Sequence, residues 1–108
     1  PRMSGESIDA VVAVGVNEPR AWHENLRQNY PNPFREETVI EYAIPEDHLV
    51  RLEVFDVLGK SVAVLVNENV PAGNHRLVYS VSTIPDGVYF YTMVIGDHRL
   101  TRRMVIRR

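Results

Sequence analysis

A chain of 108 residues is the size of one domain and too short to core two. Its 44% apolar and 24% charged residues, with 7 Pro and 6 Gly, exclude collagen-like, low-complexity and intrinsically disordered classes, and the absence of cysteine removes disulfides, thiolate nucleophiles, Fe–S clusters and Cys-based zinc sites. The formal net charge of −2 hides an asymmetry: residues 1–97 hold 7 basic and 14 acidic side chains, whereas Arg99, Arg102, Arg103, Arg107 and Arg108 follow Asp97 with no acid among them.

Valine is the commonest apolar residue, and with isoleucine it favours strands over helices. Residues 8–16 are apolar apart from Asp9 and Gly15, a run of strand length that stops at Asn17-Glu18-Pro19. It is expected to pair onto an edge of its own domain or with a second copy of the chain, because such a strand left alone exposes apolar surface and open hydrogen-bonding groups. Residues 17–37 carry three prolines and four asparagines with little periodicity, and read as a linker followed by the lead into a domain. We therefore expect residues 1–25 to be linker or the end of an upstream region, and residues 26–108 to be the domain. No run reaches the ~18 apolar residues of a membrane helix. With Pro1 first and no signal-peptide pattern after it, the chain reads as a piece of a longer protein whose export signal lies upstream.

Within the lead-in, Asn29-Tyr30-Pro31-Asn32-Pro33-Phe34 has prolines at i and i+2, which fix φ and favour extended backbone before them. It reads as a stiff opening strand pinned to the core by Tyr30 and Phe34. Regular alternation begins at Thr38: Ile40, Tyr42 and Ile44 share one face before Pro45-Glu46-Asp47 breaks the run. Residues 49–57 place Val50, Leu52 and Val54 inward. Asp56-Val57-Leu58-Gly59 then reads as a turn, with Asp56 bonding the backbone ahead of it and Gly59 supplying φ > 0. Residues 61–66 form its hairpin partner, and the polar stretch 67–73, with Pro71 and Gly73, reads as a loop. Leu77, Tyr79 and Val81 alternate along 75–81. Ile84-Pro85-Asp86-Gly87 turns into residues 88–95, apolar on both faces as a central strand is. Gly96-Asp97 turns again, and 98–108 closes the chain with Leu100, Met104 and Ile106 on one parity. Six strands at short, even spacing, with one more from the 24–34 region, predict an all-β, immunoglobulin-like antiparallel sandwich of about seven strands.

Chemistry-bearing constellations are missing from this pattern. The histidines stand at 23, 48, 75 and 98, never within four residues of one another, so no His-based metal clip is present; Glu36-Glu37 and Glu46-Asp47 lack the spacing of a calcium loop. Ser61, Ser80, Ser82, Thr83, Thr92 and Thr101 have no activating context, and no glycine-rich phosphate loop occurs. The chain is read as a non-enzyme with no catalytic, metal or cofactor site. An acidic body repels phosphate, which argues against nucleic acid as a partner; the basic end reads as an edge strand defended by charge. Tyr89 and Tyr91, with Tyr42 or Trp22, would make a sugar-stacking platform if they faced solvent, and a carbohydrate-binding or spacer module on a secreted enzyme is the alternative reading.

Five motifs occur in order: Asn29-Tyr30-Pro31-Asn32-Pro33-Phe34, Val54-Phe55-Asp56-Val57-Leu58-Gly59-Lys60, Pro71-Ala72-Gly73, Gly87-Val88-Tyr89-Phe90-Tyr91 and Thr101-Arg102-Arg103-Met104-Val105. Together they resemble the type A C-terminal sorting domain of the type IX (Por) secretion system of Bacteroidota, a family similar to the immunoglobulin-like domain of flagellar hook-capping proteins. The resemblance covers about residues 26–108 and departs from the family at Arg35-Glu36, where Asn-Pro is common. It implies a secretion signal that sends a covalently fused upstream cargo to the cell surface, across the outer membrane by way of the periplasm. The translocon reads the domain and a sortase-like protease often removes it. By the same resemblance Gly87, Tyr89, Arg102, Arg103, Met104 and Val105 are the expected recognition residues, and Asn32, Pro33, Phe34, Asp56, Gly59 and Gly73 the structural ones.

Overall fold

The computed structural model describes residues 24–108. The strand and the chain-to-chain contact expected at residues 8–16 lie outside the described residues, as does Trp22.

Seven strands follow one another: β1 (Asn25–Leu26), β2 (Glu37–Ile44), β3 (His48–Phe55), β4 (Ser61–Val70), β5 (Gly73–Ser80), β6 (Gly87–Ile95) and β7 (His98–Ile106). They form two antiparallel sheets, one ordered β1-β2-β5 and the other β4-β3-β6-β7, and no helix occurs among the described residues. The expected all-β sandwich is the fold. Its period-2 alternation sends Ile40, Tyr42 and Ile44 of β2 and Val50, Leu52 and Val54 of β3 into the space between the sheets, where five of the six are wholly buried and Tyr42 nearly so. β6, like β3, is paired on both sides, and contributes Tyr89, Tyr91, Met93 and Ile95 to the core; β7 adds Met104 and Ile106.

The structure departs from the sequence expectation in two places. Residues 67–70 are not loop: β4 continues to Val70, with Asn67, Glu68 and Asn69 opposite Arg51, Val50 and Leu49. The register slips between Leu52 and Glu53 and again between Val54 and Phe55, so Leu65 and Val62 have no Cα partner on β3. Two bulges on an edge strand break the alternation that would reveal it in the sequence.

The second departure is the opening segment. It is not one extended strand; it touches the sheets at two isolated bridges, Tyr30 with Val39 and Phe34 with Ile106, and bends through residues 31–33. Pro31 and Pro33 have no N–H to give to a ladder, which limits pairing to the residues on either side; both of their peptide bonds are cis. Phe34 is 2% exposed and pins the segment to the core as expected, but Tyr30 is 79% exposed and does not.

Candidate functional site: the final strand and its cross-links

β7 is an edge strand by its place in the sheet order, yet half of its outer edge is occupied. Phe34 N–H donates to Val105 O at 3.0 Å and Phe34 O accepts from Arg107 N at 2.9 Å. The Asn32 carboxamide Oδ1 accepts from Val105 N at 2.9 Å, and Gln28 Nε2 donates to Arg103 O at 2.6 Å. The opening segment thus covers the chain's last residues, some 70 positions later in sequence. Asn32 and Phe34 each bond the last strand, and Pro33 lies between them in the bend.

Beneath these bonds lies a buried polar knot. The Tyr91 hydroxyl donates to Arg27 O at 2.6 Å and accepts from Asn29 N–H at 2.7 Å. Asn29, 2% exposed, donates from Nδ2 to Thr38 Oγ1 at 2.9 Å, while Thr38 Oγ1 donates to Pro31 O at 2.8 Å. Burial pushes the Tyr91 phenol up to about 12, although the Asn29 N–H acts in the other direction. The sequence reading gave Asn29, Thr38 and Gln28 no role. The one available signal was the placement of a tyrosine on an inward-facing strand position, because a buried phenol needs a partner.

The arginines divide. On β6 and β7, Tyr91 opposes Arg102 and Phe90 opposes Arg103, so Arg102 stands on the core-facing side and Arg103 on the outer one. The Arg102 stem spans the gap between the sheets, and its Nε donates to Leu26 O on β1 at 2.9 Å. Arg108 is a clamp. Its N–H and Nη1 both donate to the Asp86 carboxylate at 2.9 Å, and Nη1 also reaches Ile84 O at 2.8 Å. Nη2 donates to Val81 O. The paired donors hold the Asp86 carboxyl below its ordinary range. Among the described residues, no hydrogen bond or ion pair involves the side chains of Arg99, Arg103 or Arg107.

The remaining expected residues, those of recognition and of structure alike, lie on β6, β7, the β3–β4 turn and the start of β5. Gly87 opens β6 at φ 152°. Tyr89 is buried, its hydroxyl donating to Pro85 O at 2.7 Å, and Met104 is wholly buried beside it in the register. Val105 is half-buried on the outer face. In the β3–β4 turn the Asp56 carboxylate Oδ1 accepts from Leu58 N and Lys60 N, each at 2.9 Å, and Gly59 N–H donates to Asp56 O at 3.0 Å with φ 84° at Gly59. Gly73 starts β5 at φ 126°, opposite Ile44. Tyr42, Tyr89 and Tyr91 are all below 8% exposed, so they form no solvent-facing sugar platform. Tyr79 carries the one buried side-chain polar atom without a partner among the described residues, its hydroxyl.

Two comparisons bear on identity. The family model described as a secretion system C-terminal sorting domain matches residues 28–107. No curated protein matches the chain. The matched span runs from Gln28, whose amide caps Arg103, to Arg107, whose N–H bonds Phe34, so it takes in both ends of the cross-linked edge.

Proposed function

The chain belongs to the family of secretion system C-terminal sorting domains, the sorting signals of the type IX system, and from that membership we propose that its folded sandwich directs a covalently fused upstream cargo through the outer-membrane translocon. A signal of this kind implies contact with the secretion machinery and export to the cell surface or extracellular space. The family is one of sorting signals and is not known as catalytic. The observation that carries the reading is that the family match, residues 28–107, takes in six of the seven strands, β2 to β7, and begins two residues after β1. An address spread over an entire fold is read as a surface, so export requires the domain to be closed. We take the signal to be the expected domain of residues 26–108 together with Asn25, which pairs with Ala43 in β1, and the residues before it to be the connection to the cargo. Removal by a sortase-like protease after passage fits a signal whose last strand is bonded to its first segment, because cleavage before β1 leaves the seven strands together.

The test is a secreted reporter fused ahead of the chain in a type IX-competent host. Deleting residues 99–108 removes most of β7, the Phe34 bridge and the Arg108 clamp, and is expected to abolish export. Export of the truncated fusion at the level of the intact one would refute the sorting reading.

A further inference from the structure

The four-stranded sheet has one face on the core and one outside, and the register fixes what stands on the outside. Phe55 of β3, Phe90 of β6 and Arg103 of β7 lie in one cross-strand row, and Val88 and Val105 form the next. The β3–β4 turn projects from the same end of the sheet, with Val57 66% and Leu58 89% exposed; Val88 is 38% exposed. Further along the face, Arg51, Val94 and Arg99 form one row and Glu53, Thr92 and Thr101 another. Glu53 is already engaged, accepting from Arg51 Nε at 2.9 Å and from Ser61 Oγ at 2.5 Å. Asp56 is likewise committed to its own turn.

This face therefore has an apolar end bordered by Arg103 and, at the turn, Lys60, and among the described residues the two carboxylates nearest in the register, Glu53 and Asp56, are already engaged. The outer face of the other sheet is different. There Glu37 opposes Ser80, Glu41 opposes Arg76, and Val39 opposes Val78, leaving an excess of acid and no aromatic side chain at these positions. Three separate sequence motifs, around residues 54–60, 87–91 and 101–105, send their inward members (Val54, Tyr89, Tyr91, Met104) to the core and their outward members to this one patch.

Building on the sorting reading above, we propose that the turn end of this face, centred on Phe55, Leu58, Val88, Phe90 and Arg103, is the docking surface. Its partner is a protein of the secretion machinery that presents an apolar centre with an acidic border. Charge complementarity selects that partner: the basic border steers and registers an acidic one, while the exposed apolar residues supply the desolvated centre that gives a contact its affinity. An anionic bilayer fits less well, because residues 1–97 hold twice as many acidic as basic side chains.

The experiment is export of the reporter fused to the full 108-residue chain, for the unmodified sequence, for Leu58→Glu combined with Arg103→Glu, and for Val78→Glu, an exposed valine on the opposite face (51% exposed). Thermal melts of the three purified chains verify folding, and the milder pair Val57→Ser with Leu58→Ser replaces the first variant should it melt early. The unmodified and Val78→Glu fusions are expected outside the cell, and the patch variant reduced by about tenfold or more. Normal export of both patch variants overturns the proposal and leaves the sorting reading standing. Equal loss in Val78→Glu also overturns it, because the effect then does not belong to this face. An unmodified fusion that is not exported brings down the sorting reading itself. Co-sedimentation of the unmodified chain, but not the patch variant, with anionic phospholipid vesicles would make the face a membrane anchor and overturn the protein partner.

Discussion

The β3–β4 turn and the opening segment of residues 25–34 both shape the four-stranded sheet, and they are built on opposite principles. The turn is local: Asp56 bonds residues two and four positions ahead, and Gly59 supplies the left-handed backbone. The opening segment is assembled over distance, with Arg27 and Asn29 meeting Tyr91, Leu26 meeting Arg102, and Asn32 meeting Val105. A local turn forms at small entropic cost whatever the rest of the chain does, whereas the long-range bonds close large loops and exist only when the sandwich is complete. The segment that finishes the fold is thus also the one that reports its completion. The opening segment and the last strand are bonded together or not at all.

The comparison breaks first at Tyr91. Tyr91→Phe leaves Asn29 N–H and Arg27 O without their buried partner, and a loss of roughly 2–4 kcal/mol is expected from two unsatisfied groups; chemical denaturation measures it. A variant as stable as the parent would mean the knot contributes nothing. The same phenol makes a pH test. Its pKa is raised, so an unfolded chain releases the proton near the ordinary value of 10 while the folded one holds it to about 12. The contribution is therefore complete below pH 10 and lost as pH climbs through 10–12, on the order of 2 kcal/mol. Burial also raises Tyr42, Tyr79 and Tyr89, so Tyr91→Phe should flatten the alkaline decline without abolishing it.

On the local side, Gly59→Val forces a β-branched residue to φ 84° with no neighbour within 4 Å of the added Cβ, so backbone strain is its expected cost, about 1–2 kcal/mol. It should fall below that of Tyr91→Phe, and the reverse order would invert the comparison. The smallest effect separates adjacent arginines. Arg102→Ala removes the bond to Leu26 O and is expected to cost about 1 kcal/mol. Arg103→Ser should stay within about 0.5 kcal/mol of the parent, as exposed charges generally do.

Legibility in the sequence follows the same divide. The Asp56–Gly59 turn, the inward rows of β2 and β3 and the central position of β6 were all readable, because each depends on neighbours one to four residues away. The extension of β4 was hidden by two bulges that shift its alternation. Asn29, Thr38 and Gln28 were hidden because their partners are long-range or depend on a bend no periodicity predicts. Arg102 and Arg103 look alike in sequence, and only the register of β6 on β7 gives them opposite faces. The ordered motifs around residues 54–60, 87–91 and 101–105 were visible as motifs, but their inward and outward members separate only in the folded sheet.

The most direct test of the central claim places the reporter, fused ahead of the intact chain, in a type IX-competent host and in an isogenic strain lacking the translocon. The reporter is expected outside the cell in the first and retained in the second. The same distribution in both strains would contradict the assignment of this domain as a type IX export signal.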